Sequence, residues 1–288
     1  MIIPGIMAQR RVVTGGGTLW TPLNMATVPQ IYLDGQDSSV TDASGFASAI
    51  SNLGAMGANG DFSQGTAANQ PAILTAELNG KRVLSFDGSN DVLLGASTAQ
   101  RDIFRNKTAA WAFTVYKKRG TDGGVQTRRI FHCSNGSNAN TRFAVYAATN
   151  PGGTNTPSLG AQRLDADTPA TLIGTAPHVG AYVMMLTAMD YSARTGRIYI
   201  DGAMDAQNTT LTATAGSTSN TTSANSLSIG ARYDGILLAD IDLATITLSN
   251  TYPATDDIDK LFGWAAHKYG LTASLPIGHP YKTVAPTV

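Results

Sequence analysis

The chain has 288 residues, 42% of them hydrophobic and 14% charged, with 20 basic side chains balancing 20 acidic ones. That is enough material for one large all-β domain or two ordinary ones. Zero net charge removes any electrostatic drive toward nucleic acid or an anionic membrane, the apolar runs are too short to span a bilayer, and the lone Cys133 excludes an internal disulfide.

Residues 1–28 read as a segment of their own, with an apolar start (MIIPGIMAQRR), a glycine triplet at 15–17 and then Trp20-Thr21-Pro22. The triplet is a flexible joint by composition, and the apolar patch, with Pro4 inside it and no basic residue ahead of it, makes a poor secretory signal. From Gln30 onward the pattern becomes strand, turn, strand. IYLDG (31–35) closes on Asp-Gly, and RVLSF (82–86) and DVLL (91–94) flank the turn residues Asp87 to Asn90 as a hairpin. AAWAFTVYK (109–117) alternates Trp111, Phe113 and Val115 against Ala112, Thr114 and Tyr116, a period of two that assigns the aromatic face to the core.

RRIFHC (128–133) and RFAVY (142–146) follow as strands, and Cys133 within the first is a buried structural thiol. AYVMMLTAMD (181–190) is apolar on both faces and therefore central in a sheet, and GRIYIDG (196–202) ends in another Asp-Gly hairpin signal. Residues 208–225, polar and nearly chargeless, read as an exposed loop or ragged hairpin. SLSIGAR (226–232) precedes DIDLATITLSN (240–250), where the apolar phase slips between 243 and 244, as a β-bulge requires. Residues 255–269 then carry Ile258, Leu261, Phe262, Ala265, Ala266 and Tyr269 at helical spacing. Thr255 is placed to cap this helix, Asp256 and Asp257 suit the positive end of its dipole, Trp264 seats it on the sandwich, and Gly270 stops it.

These residues resemble a known family. FDGSNDVLL, GRIYIDGAMD and LSIGARYDGILLADIDLATITLSN are similar, in content and order, to the strand motifs of laminin-G-like, concanavalin A-like jelly rolls. The ending DDIDKLFGWAAHKYGLTASLPIGHPYK resembles the closing helix and tail of such domains in bacteriophage virion proteins and some bacterial surface proteins, and IIPGIMA (2–8) resembles the start of phage tail and fibre proteins. The resemblance implies an all-β, two-sheet antiparallel jelly-roll sandwich over residues 29–288 with one C-terminal amphipathic helix, behind an attachment segment at 1–28. It also implies a homo-oligomeric virion protein that contacts other virion proteins through that segment and host-surface carbohydrate through loops. The same fold serves lectins, glycosidases and inert spacers, so function must come from a site.

Hydrolysis finds little support. A retaining glycosidase on this fold places two glutamates close together on one strand, and Glu77 is the only glutamate. Asp240 and Asp242 form an i, i+2 pair on a strand, whose plainer reading is exposed acids beside a bulge, and no Gly-x-Ser-x-Gly elbow occurs. Sugar recognition needs an aromatic face with hydrogen-bonding groups beside it. Arg232, Tyr233 and Asp234 at a strand end are the first candidate, and Tyr191 with Arg194 in DYSARTG the second; the alternative for both is an ordinary turn. Asp87, Asn90 and Asp91 supply two or three of the oxygens that a calcium site collects, or simply reverse the chain. The expectation is a non-enzymatic virion protein of tail or fibre type with a lectin-like domain. The alternative is a purely structural head decoration or adaptor, and an aspartate-based polysaccharide-cleaving enzyme stands third.

Overall fold

Both faces of the strand that begins at Ala109 are buried, and this sets the architecture. Ala110, Ala112 and Tyr116 point into one apolar cluster, while Trp111, Phe113 and Val115 point into another. A sheet buried on both sides needs a partner on each, so the domain has three layers. The computed structural model describes residues 17–288 apart from 37–39, 43, 96, 122–126, 135–140 and 149–154.

Among the described residues the strands begin with β1 (Ile31–Asp34), β2 (Thr41–Asp42), β3 (Ala47–Ile50), β4 (Phe62–Ser63), β5 (Ala72–Leu78), β6 (Lys81–Asp87) and β7 (Leu93–Gly95). A short helix α1 (Thr98–Arg101) precedes β8 (Ala109–Lys118), β9 (Arg128–Ser134), β10 (Thr141–Ala148), β11 (Ser158–Ala161) and β12 (Ala170–Ile173). The chain then runs through β13 (Tyr182–Asp190), β14 (Thr195–Ile200), β15 (Ala203–Asn208), β16 (Ser228–Ile229), β17 (Asp240–Ser249) and α2 (Thr255–Tyr269). Eight strands form one antiparallel sheet in the order β15-β14-β13-β8-β17-β6-β5, with β1 also paired to β17. Nine form the other, in the order β12-β11-β10-β9-β16-β7-β4-β3-β2. This is the expected two-sheet jelly-roll sandwich with one helix near its C-terminal end.

Between the sheets lie Leu84, Phe86, Ile241 and Ile246 from one wall and Phe62, Phe131, Phe143 and Ile229 from the other. The outer face of the eight-stranded sheet is covered by α2. Phe262 meets Phe113 edge-on at 5.2 Å, and Trp264 meets Tyr32 edge-on at 5.9 Å. Burying large side chains in this way stabilises the fold by roughly 1.5–3 kcal/mol each. That layer also explains why β13 is apolar on both faces: Met185 and Met189 face the sandwich interior, and Met184 and Leu186 face the helix layer.

Several expectations hold in detail. The helix spans the residues read for it, and Gly270 ends it in the left-handed conformation. The bulge in β17 falls between Leu243 and Thr245, and β14 and β15 form the hairpin around Asp201-Gly202. Cys133 is fully buried, and burial pushes its thiol up to about 12.

Four readings are corrected. Thr255 is the first helical residue and not the cap; Ala254 holds that position with no side-chain bond, so the dipole is met by Asp256 and Asp257. The flanks of the Asp87 turn do not pair: β6 lies in the eight-stranded sheet and β7 in the nine-stranded one, so the turn is a crossover between sheets. Residues 208–225 are not exposed throughout, because Leu211, Thr212, Thr218 and Ser223 are buried. Asp242 is 1% exposed and ion-paired to Lys117 at 2.8 Å, not a free acid beside a bulge. Of the separate segment expected at 1–28, residues 1–16 lie outside the described residues. In the rest, Trp20 and Met25 are buried against the helix layer, and Leu19 bridges to Thr287.

Candidate functional site

The crossover turn is held by its own carboxylates. At the end of β6, Oδ1 of Asp87 accepts the backbone N–H of Ser89 at 2.7 Å and of Asn90 at 3.3 Å. Oδ2 of Asp91 accepts the N–H of Asp87 at 2.8 Å. A short acidic side chain bonded to nearby backbone is the usual way to fix such a turn. Asp91 is 6% exposed, and burial pushes its carboxyl up to about 6, against the N–H bond from Asp87, which favours the charged form.

The turn forms one wall of an open pocket of about 420 Å³. Asp87, Asn90, Asp91 and Arg119 bring polar groups to it, and Phe46, Ala72 and Leu74 line an apolar side. Phe46 is 45% exposed, an aromatic ring left open to solvent at the edge of a cavity. Arg119, just past β8, donates to Oδ1 of Asp240 at 2.7 Å and to the carbonyl of Phe86 at 2.7 Å. Its charge is therefore balanced by the sheet. Among the described residues nothing hydrogen-bonds the side-chain amide of Asn90, which stays free to act as donor and acceptor.

This donor set does not suit calcium. The ion needs six to eight oxygens. Here one oxygen of Asp87 and one of Asp91 already accept backbone N–H groups. Among the described residues no three His, Cys, Asp or Glu side chains gather as a metal cluster. Asp87, Asn90 and Asp91 form a turn that borders a pocket, and these three side chains by themselves fall short of the oxygens that calcium collects.

The Arg232–Asp234 turn behaves differently. Nε and Nη2 of Arg232 donate to the two oxygens of Asp234 at 2.8 and 2.5 Å, a fork on a carboxylate within one turn. That bond holds the Asp234 carboxyl below its usual range. Tyr233 lies nearly parallel to His132, at 18° with ring centres 6.5 Å apart. His132 is fully buried; desolvation, with the charges of Arg129 and Arg232 adding to it, drives its pKa well below the ordinary value and keeps it neutral.

The second candidate pair is corrected outright. Tyr191 is fully buried inside the sandwich, and its hydroxyl donates to the carbonyl of Arg142 at 2.6 Å, so no ligand can reach it. Arg194 donates through Nε to the carbonyl of Thr212 at 2.6 Å, and so braces the loop that follows β15.

No family model matches the sequence, and a search of curated proteins finds no match. The fold does have solved counterparts. The binding domain of Paraclostridial Mosquitocidal Protein 1 superposes with a TM-score of 0.56 at 9% identity, over 82% of this chain and 52% of that one. The binding domain of botulinum neurotoxin serotype G superposes with a TM-score of 0.51 at 10% identity, over 81% of this chain and 50% of that one. The chain thus spans about half the length of the toxin domains it matches. A looser match, with a TM-score of 0.42 at 14% identity over 61% of this chain and 90% of that one, is to the CBM40 of a Ruminococcus gnavus sialidase bound to α2,3-sialyllactose. At these identities the likeness is one of fold.

Phe46 and Arg119 were not legible as site residues. Phe46 sits in SGFA, with no periodic pattern around it, and Arg119 follows the alternating strand directly. The only local signal was the position of Arg119, since the end of a central strand lies on a rim of the sandwich.

Proposed function

We propose that the chain is a non-catalytic, lectin-like domain of a phage virion protein, of tail or fibre type, which binds host-surface glycan at the crossover-turn pocket. The observation that carries this reading is the mixed lining of that pocket: a half-exposed Phe46 with Leu74, together with the carboxylates and amide of Asp87, Asn90 and Asp91. A pyranose has apolar C–H faces and hydroxyl edges, and such a lining offers stacking to the first and hydrogen bonds to the second. The acids that a hydrolase would need are otherwise engaged: Glu77 pairs with Lys117 at 2.6 Å, and Asp242 accepts from Ser85 at 2.7 Å.

The virion setting rests on the resemblance of IIPGIMA and of the HPYK tail to phage proteins, with residues 1–28 as the attachment to other virion proteins. Homo-oligomerisation fits this reading, because several weak glycan contacts add through avidity. The test is binding of the labelled protein to a panel of intact bacterial cells before and after periodate oxidation of their surface glycans. Saturable binding that periodate abolishes is expected. No binding at micromolar protein to any cell of the panel, or binding unaffected by periodate, would overturn it.

A further inference from the structure

A second and larger cleft, of about 670 Å³, lies on the helix side of the eight-stranded sheet. It is walled by the paired terminal segments, where Trp20 N–H donates to the Pro286 carbonyl at 3.0 Å and Val288 N–H to the Thr18 carbonyl at 2.9 Å. Its size is that of a small-molecule site. One side is apolar, with Leu19 64% and Leu23 40% exposed beside Trp264 and Pro286. Leucines left open in a cleft are surface that a ligand can cover with gain.

The charged groups decide what kind of ligand. Asp34 is the acid of the cleft, and it is saturated. Oδ1 accepts Gln36 N–H at 3.0 Å and the Tyr269 hydroxyl at 3.4 Å, while Oδ2 accepts the Tyr32 hydroxyl at 3.1 Å and the Lys268 ammonium. Lys268 is thereby neutralised, and it also sits 5.0 Å from the centre of the Trp264 ring. His267 donates through Nε2 to the Tyr281 carbonyl at 2.9 Å. Lys81 lines the same cleft with no ion pair or hydrogen bond among the described residues. Among the described residues, the charge that lines the cleft without a partner is therefore that of Lys81, and it is positive.

We infer that this cleft binds a small amphiphile: an apolar chain or ring carrying a single anionic group. The body lies along Leu19, Leu23 and Trp264, and the anion meets Lys81. This site is separate from the glycan pocket and does not depend on it.

Because Trp20 and Trp264 both line the cleft, intrinsic fluorescence reports its occupancy. The full chain is titrated with dodecanoate below its micelle concentration, with dodecyltrimethylammonium as the cationic control. Saturable 1:1 binding of dodecanoate is expected, at least about tenfold tighter than the cation, equivalent to ~1.4 kcal/mol. Lys81→Gln should weaken it severalfold, and Leu23→Asp should abolish it; both positions are on the surface, and an unchanged far-ultraviolet spectrum confirms that each variant folds. Co-sedimentation with phosphatidylglycerol vesicles distinguishes a free amphiphile from a membrane surface. No saturable change with dodecanoate, equal binding of the cation, wild-type affinity in Lys81→Gln, or tight sedimentation with the vesicles would each overturn the assignment.

Discussion

Two acidic turns of similar composition do opposite things with their charges. In Arg232–Asp234 the guanidinium grips the carboxylate of its own turn with two bonds, and the tyrosine between them covers a neutral histidine. In Asp87–Asp91 the carboxylates hold backbone N–H groups, no cation of the turn itself answers them, and the Asn90 amide is free beside a cavity. In the first turn the two charged groups satisfy each other; in the second the Asn90 amide leaves hydrogen-bonding capacity unused. Residue type alone does not identify a binding site. What matters is whether the groups are already satisfied by each other.

The contrast can be broken first at the glycine that enters each turn. Gly230 has φ +85, and a Cβ there would lie 2.1 Å from the Phe86 ring, so Gly230→Ala must displace a core aromatic. It should cost at least ~3 kcal/mol, by the mechanisms of overpacking and strained backbone. Gly88 has φ +74, and a Cβ there would meet Asp240 at 3.0 Å from its Cβ and 3.3 Å from its backbone N but no core ring, so Gly88→Ala should cost ~1–2 kcal/mol, the ordinary penalty of the left-handed region. Equilibrium urea unfolding of the two variants measures both, and equal losses would show that the Phe86 contact is not the difference.

The second way is by pH. Asp91 is raised from the ordinary 3.8 to about 6, so between these values the folded chain holds a proton there that the unfolded chain releases. Its contribution is fully present below about pH 4 and is lost as pH rises through about 6. Relative to Asp91→Asn, which keeps the acceptor but cannot ionise, the wild type should lose up to ~3 kcal/mol between pH 4 and 7. Parallel stability curves for the two proteins would refute the burial of this carboxyl.

Binding sharpens the comparison next. Asn90→Ala and Phe46→Ala should each weaken glycan-dependent cell binding at least about tenfold, or ~1.4 kcal/mol, with stability nearly unchanged. The smallest effect belongs to the closed turn: Asp234→Ala should cost under ~1 kcal/mol of stability, as partly exposed ion pairs do, and leave cell binding intact. Loss of binding in Asp234→Ala would place the ligand at the wrong turn for this account.

Much of the architecture was legible because it is written in local period and punctuation. The β17 bulge is a slip of phase, the closing helix a stripe of apolar residues ended by Gly270, and the β14–β15 turn an Asp-Gly pair. What was not legible is non-local. Nothing near LSFDGSNDVLLG says that β6 pairs with β5 and β17 while β7 pairs with β4 and β16, so a crossover looks like a hairpin from its sequence. Trp111 and Phe113 read as core and are core, but of the helix layer; residues 255–269 create that second interior from the far end of the chain. Tyr191 looked exposed because it follows Asp190 in a polar turn, whereas its partner is a carbonyl of β10. The pocket has the same character, since Phe46 reaches it from just before β3 and Arg119 from just after β8.

The central claim is that ligand meets the Asp87–Asp91 turn and not the Arg232–Asp234 turn. Backbone amide chemical shifts of the isotope-labelled chain, followed while surface polysaccharide from a bound bacterium is added, test it most directly. Saturable shifts should gather at Phe46, Ser89, Asn90 and Asp91, with Tyr233 and Asp234 unmoved. Shifts centred on Tyr233 and Asp234, or none at saturating polysaccharide, would contradict it.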